Sequence, residues 1–294
     1  MKRDYVRELK ALSGDKIHIK DEENVNRLIG AIVSGGKEKL QVVSDFDRTI
    51  TKQHENGKSH LSSFGIFACC DSLPESYKVQ EKTLKDKYLP IENDPKMPLP
   101  EKTKYMEEWW AQSEEILKGV NVTDDDIEEA VRNFAPALRD GTRDAIVKLD
   151  KMNVPVLVFS AGLGNAVVAV LDHFKVNLPN VKIISNFLKR DDQGVIQGFS
   201  DKMINVFNKN ETAIVGSDYY HVISDRVNII LLGDSQGDAN MAEGMPNVQA
   251  VLKIGFIFEH IEDNLPSYMD KFDLVLDDDQ TMDVLNKLLS FMSE

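Results

Sequence analysis

Five short apolar runs do most to limit what this chain can fold into. They lie at 41–45 (within "LQVVSD"), 154–160 ("VPVLVFS"), 181–187 ("VKIISNF"), 227–235 ("VNIILLGDS") and 272–278 ("FDLVLDD"). Each is rich in β-branched and aliphatic residues, which predicts buried strands. Before, between and after them lie stretches whose apolar residues recur at helical spacing, at 21–34, 163–174 and 280–293. The first of these stops at Gly35-Gly36, a helix terminator. Strands alternating with helices predict an α/β fold, a Rossmann-like doubly wound parallel sheet. Ligands bind such sheets at the carboxyl ends of the strands, and there the polar residues of this chain collect.

From about 56 to 135 the strand pattern stops. Lys, Glu and Pro gather there with both tryptophans, and "EKTKYMEEWWAQSEEILKG" (101–119) and "TDDDIEEAVRNFAPALRDG" (123–141) read as amphipathic helices. We therefore expect a catalytic core made of 1–55 and 136–294, interrupted by a helical cap at 56–135.

Composition narrows the function. The 294 residues carry 35 Lys and Arg against 49 Asp and Glu, a formal net charge of -14. A surface so acidic disfavours binding to a nucleic-acid polymer. The uncharged stretch 152–171, "MNVPVLVFSAGLGNAVVAVL", has the length of a membrane span. Pro155, Gly162 and Gly164 instead divide it into strand, loop and helix, so no membrane partner is expected. The first residues, "MKRDYVRELKALSG", lack the apolar stretch of an export signal. Cys69 and Cys70, the two cysteines of the chain, are neighbours and predict neither a disulfide framework nor a zinc site. A cytoplasmic monomer acting on a small molecule is the expectation.

Four strand-end motifs carry the chemistry. In "SDFDRTIT", Asp45 and Asp47 stand two apart, a spacing that turns both to one side of an extended segment and sends the neighbouring Arg48 away from them. In "VFSAG", Ser160 and the amides of Ala161 and Gly162 at a helix start suit an anion, though Ser is also an ordinary helix cap. In "LLGDSQGD", Asp234 and Asp238 offer oxygen ligands of the kind Mg2+ prefers. Lys209, in "MINVFNKNE", lies between the second and third of these; taken alone it reads as a surface charge.

Taken in order, Asp-x-Asp-x-Thr, Ser, Lys and Gly-Asp-x-x-x-Asp resemble the motif series of the haloacid-dehalogenase-like phosphohydrolases. With "EEWW", "SNF", "MAEG" and "LKIGF" added, the chain resembles the cytosolic 5'-nucleotidase III family from about Val25 to Leu289. The resemblance implies Asp45 as nucleophile and Asp47 as general acid and base. It implies Mg2+ held by Asp45, the Asp47 carbonyl and Asp234, with Asp238 in support. Ser160, Ala161, Gly162 and Lys209 would bind the phosphoryl group of a nucleoside 5'-monophosphate.

The cap would then choose the base. The resemblance aligns Phe64, Glu92, Trp110 and Ser113 with the base pocket. It also ties Glu-Trp-Trp, present here as Glu108-Trp109-Trp110, to the 7-methylguanosine branch rather than the pyrimidine branch. Physical chemistry points the same way, because 7-methylguanine is cationic and a cation over an indole face is attracted to it. Phe64 is expected on the other side of the base, with Glu92 and Ser113 at its polar edge. Two other readings stay open: a phosphatase of another small phosphate such as phosphoserine, and a catalytically silent binder of 7-methylguanosine nucleotides.

Overall fold

The computed structural model describes residues 3–92, 94, 97–201, 203–205, 209, 218–245 and 247–292. Its amino-terminal part runs α1 (Tyr5–Ser13), β1 (Ile17–His18), α2 (Glu22–Gly35), β2 (Leu40–Ser44) and a small hairpin, β3 (His54–Glu55) and β4 (Lys58–Ser59). Helices α3 (Ser63–Phe67), α4 (Glu75–Glu92), α5 (Leu99–Leu117) and α6 (Asp124–Phe134) follow. Next come α7 (Thr142–Lys151), β5 (Val156–Leu163), α8 (Gly164–His173), β6 (Val181–Asn186) and a second hairpin, β7 (Leu188–Arg190) and β8 (Ile196–Phe199). The chain ends with α9 (Asp218–Val222), β9 (Asn228–Gly233), β10 (Ala250–Ile257), α10 (Ile261–Met269), β11 (Leu274–Asp277) and α11 (Asp283–Phe291).

Seven strands form one sheet in the order β1-β11-β10-β9-β2-β5-β6, parallel except where the edge strand β1 meets β11. From β2 the chain winds first toward β5 and β6 and later returns through β9 to β10 and β11. The sheet therefore reverses direction at β2, and a crevice opens beyond the carboxyl ends of β2, β5 and β9.

Alternation along the strands splits the core between the two faces of the sheet. Leu40, Val42, Ile230 and Leu232 pack with α1, α2, α7, α8 and α11 on one side. Val43, Ile229 and Leu231 pack with Tyr219 and Ile223 on the other. Helix starts are fixed locally: the Asp21 carboxylate accepts from Asn24 N at 2.9 Å, and Thr123 and Asp126 form a reciprocal cap on α6.

The inserted helices do not all stand apart from the core. Helices α4 and α5 pack together, and α5 also rests on β8. Helix α6 lies against α8, burying Ile127, Ala130 and Val131 in the same cluster as Ala166 and Val170.

Three features differ from the sequence-based expectation. Strand β10 went unpredicted because Lys253 and Gly255 break its apolar run, and the β7–β8 hairpin lies in a polar stretch. Strand β5 continues past Ser160 to Leu163 through a break in its register with β6 between Phe159 and Leu163. No described helix is long and apolar enough to cross a membrane, and Gly162 and Gly164 fall at the junction of β5 and α8.

Candidate active site

Strand β2 ends at Ser44, and one further ladder bond, from Asp45 N to Leu232 O at 3.0 Å, locks the Asp45 backbone beside β9. Its carboxylate accepts from Lys209 Nζ at 2.6 Å, and the same ammonium donates to Asp238 Oδ1 at 2.7 Å. All three residues are buried. Asp45, Asp234 and Asp238 each present a carboxylate oxygen within 4.8 Å of the others.

This crowding shows in the titration of the group. Burial lifts Asp45 well above the usual carboxylate range, Lys209 opposes that shift, and the charges of Asp238 and Asp234 add to it. Burial and then Asp238 push Asp234 up to about 7. Burial would lower Lys209, but Asp238 and Asp45 outweigh it and hold the ammonium above its usual range.

Three crowded carboxyls share the Lys209 ammonium, and the charges of Arg48 and Arg139 also reach Asp234. An all-oxygen set of this kind fits Mg2+. Asp238 is the least available of the three: Oδ2 already accepts from Asp234 N (3.2 Å) and Ser235 N (2.9 Å), while Oδ1 accepts from Lys209. Its bonds describe a brace for the loop after β9. The expected metal group therefore comes together at Asp45, Asp234 and Asp238, with the Asp47 side chain outside it.

The Asp47 carboxylate turns toward α3. Ser63 N donates to Oδ1 at 2.7 Å and Ser63 Oγ donates to Oδ2 at 2.7 Å. The same hydroxyl accepts from Leu163 N at 3.1 Å, so one buried serine joins the first motif to the end of β5. Burial raises Asp47 above its ordinary value, and the two Ser63 bonds work against that rise.

Ser160 is buried, and its hydroxyl accepts from Gly162 N at 2.9 Å. Ala161 and Gly162 lie in the irregular end of β5 rather than in the first turn of α8, since helix geometry begins at Gly164. The Gly162 amide is thus engaged by Ser160. Space also explains this glycine, because a Cβ there would fall on Ser63 Oγ and 2.8 Å from Asp47 Oδ2.

At the far end stand the aromatics. Phe64, next to Ser63 on α3, meets Trp110 of α5 with ring centroids 5.2 Å apart and planes tilted by 50°. Trp109 stacks on buried Tyr88 at 5.7 Å and also on Trp110 at 6.2 Å, so it backs the ring that faces Phe64. Glu92 ends α4, and burial raises its carboxyl while Arg48 and Lys102 counter the shift. Ser113 lies nearly one turn beyond Trp110, half-buried.

Arg48 is not turned away from the site as an extended backbone would require. The chain has already left the strand, with Arg48 at φ 63° and its amide donating to Thr51 Oγ1 at 2.8 Å. Its charge acts on Asp47, Asp234 and Glu92.

Two residues of this region were not visible in the sequence. Ser63 is one. The other is Arg139, whose guanidinium is fully buried 3.8 Å from the centre of the Phe256 ring. It donates to Arg48 O (2.6 Å), Thr49 O (2.7 Å) and Asp279 O, tying down the loop that carries Asp47. Residues 206–208 and 210, around Lys209 in the "VFNKN" motif, lie outside the described residues.

Comparison with known proteins follows the same lines. A family model described as pyrimidine 5'-nucleotidase (UMPH-1) matches residues 48–293. A 7-methylguanosine phosphate-specific 5'-nucleotidase of Drosophila melanogaster is 48% identical over 291 residues, covering 98% of this chain and 91% of that protein. Its Homo sapiens counterpart is 36% identical over 282 residues, covering 96% and 94%. A crystal structure of cytosolic 5'-nucleotidase IIIB bound to cytidine superposes with a TM-score of 0.93 at 48% identity, covering 98% of this chain and 97% of that one. A probable phosphoserine phosphatase from Vibrio cholerae, at a TM-score of 0.52 and 10% identity, shares the fold.

Proposed function

The chain belongs to the pyrimidine 5'-nucleotidase family, and from that premise we propose that it hydrolyses nucleoside 5'-monophosphates with Mg2+ through a phosphorylated Asp45, favouring 7-methyl-GMP. It is a phosphoric monoester hydrolase of the 5'-nucleotidase type. CMP and UMP are further substrates, a reading supported by the cytidine in the related crystal structure. Residues 56–135 serve as the cap that selects the base. The enzyme works as a cytoplasmic monomer on free nucleotides.

The observation that carries this reading is the two-ended site. Three carboxylates and Lys209 form one end, and the Phe64–Trp110 ring pair forms the other. Helix α3 belongs to both ends, because Ser63 touches Asp47 and Phe64 touches Trp110.

Asp45 attacks phosphorus, forming an O–P bond as the bond to the ribose 5'-oxygen breaks. Asp47 gives its proton to that departing oxygen, then takes one from the water that hydrolyses the acyl phosphate. Lys209 neutralises charge shared by Asp45 and the phosphoryl oxygens, and Ser160 holds those oxygens in place. Asp45, the Asp47 carbonyl and Asp234, with Asp238 behind, would hold Mg2+, which would supply charge neutralisation between the carboxylate and the phosphate dianion.

At the base end, the two rings touch each other directly at 5.2 Å. A base between them needs a face-to-face spacing of about 7 Å, two van der Waals contacts, so the rings part as the nucleotide enters. A cationic 7-methylguanine gains more from the Trp110 face than a neutral base does. Glu92 accepts hydrogen bonds from the donor edge of the purine, and Ser113 adds a polar contact.

Phosphate release from AMP, GMP, CMP, UMP and 7-methyl-GMP, with Mg2+ and with EDTA, tests the proposal. It predicts 7-methyl-GMP first, CMP and UMP next, and no release in EDTA. Equal rates for all five, or activity that survives chelation, would overturn it.

A further inference from the structure

Ser63 occupies an unusual position for a residue outside the four core motifs. It is fully buried, and its amide and hydroxyl bind opposite oxygens of the Asp47 carboxylate, each at 2.7 Å. The single hydroxyl proton is committed to Asp47 Oδ2, because the same oxygen accepts Leu163 N–H at 3.1 Å. The Cβ-free Gly162 leaves the space in which the three groups meet.

Two fixed donors define the plane of a carboxylate, since each oxygen keeps one bonded and one open lone-pair direction. We propose that Ser63 is the positioning residue for the acid and base step: it holds Asp47 in the single rotamer from which a proton can reach the leaving oxygen. The proposal rests on the assignment of Asp47 as general acid and base. In that step the P–O5' bond breaks, its electron pair stays on O5', and the Asp47 proton completes the alcohol.

The leaving group separates positioning from general packing. A 5'-oxygen needs the proton, whereas a 5'-thiolate leaves without one. The experiment compares CMP with its analogue bearing sulfur at the bridging 5' position, so that base and ribose contacts are shared. Ser63→Ala keeps the backbone donor and loses the hydroxyl; the single-turnover rate of cytidine release from CMP, which precedes the water step, is expected to fall about 10- to 100-fold, part of the range of acid–base contributions. The CMP concentration for half-maximal release and the single-turnover rate of thionucleoside release should stay within about two-fold, the split expected when only proton transfer to the leaving group is impaired.

Equal losses on both substrates, an effect confined to the half-maximal concentration, or no loss would overturn the inference. Should Ser63→Ala fail to fold, Ser63→Cys keeps a side chain of similar shape with a weaker donor and takes the same comparison. Asp47→Asn is the control. If it slows the single-turnover release of both leaving groups equally, the assignment of Asp47 as the acid has failed. If it separates the two while the Ser63 variant does not, the positioning role alone has failed.

Discussion

Lys209 Nζ lies 2.6 Å from Asp45 Oδ1 in a fully buried contact between residues 164 apart in sequence. The ammonium also reaches Asp238 at 2.7 Å, so removing it strands two buried carboxylates. Lys209→Met is expected to cost about 3–5 kcal/mol of stability, the range for breaking a buried ion pair, and to abolish turnover. Thermal melting and a phosphate-release assay check both parts. A variant as stable and active as the parent would remove Lys209 from the site.

Stability without metal should depend on pH through Asp234. Its carboxyl titrates near 7 in the fold against an ordinary value of 3.8, so the folded protein holds more protons than the unfolded chain between those values. The contribution is full below pH 3.8 and is lost as pH rises through about 7. In EDTA, the melting temperature of the wild-type protein minus that of Asp234→Asn is therefore predicted to fall from pH 5 to pH 8. Mg2+, which stabilises the ionised carboxylates, should flatten that difference. A difference that rises with pH in EDTA would contradict the assigned charge crowding.

Gly162→Ala tests the close approach at the end of β5. A methyl group there collides with Ser63 Oγ and crowds Asp47 Oδ2 at 2.8 Å. Activity should fall at least about 100-fold, as small misplacements of catalytic groups can do. The far-UV circular dichroism should be unchanged. Normal activity in this variant would contradict the close approach of Gly162 to Ser63 and Asp47 as a constraint on the clamp.

Trp110 should distinguish bases by charge. Trp110→Ala is predicted to cost 7-methyl-GMP about 1–3 kcal/mol in kcat/KM, the range for a base stacked on an aromatic ring. GMP and CMP should lose less, and Trp110→Tyr should shift preference toward CMP and UMP. Equal losses for every nucleotide would make Trp110 a packing residue like Trp109, which rests on Tyr88.

The strands that build the crevice were legible because β-branched runs such as "IILL" mark buried strands whatever surrounds them. Their polar ends, Asp45, Ser160 and Asp234, stood out by position, but their roles came only from the resemblance of the whole motif series. Strand β10 escaped because Lys253 and Gly255 interrupt its pattern, although its other residues are mostly buried. Ser63 left no signal, since a serine in "LSSFG" resembles any helix start until the fold brings it to Asp47. Arg139 was equally silent: a lone arginine reads as surface, and its burial over Phe256 depends on carbonyls from two distant loops. Arg48 shows the limit of strand geometry, for the alternation rule stops where β2 stops, at Ser44.

The central claim is that Asp45 carries the phosphoryl group between nucleotide and water. Rapid acid quench of Asp47→Asn with a substrate whose leaving group needs no proton, the 5'-thio analogue of CMP, followed by peptide mass analysis, measures this directly. Loss of the base that activates water should let the intermediate accumulate. We predict the mass of one phosphoryl group on the peptide containing Asp45, absent from Asp45→Asn under the same conditions. Turnover with no label on that peptide, or a label that persists in Asp45→Asn, would contradict the account.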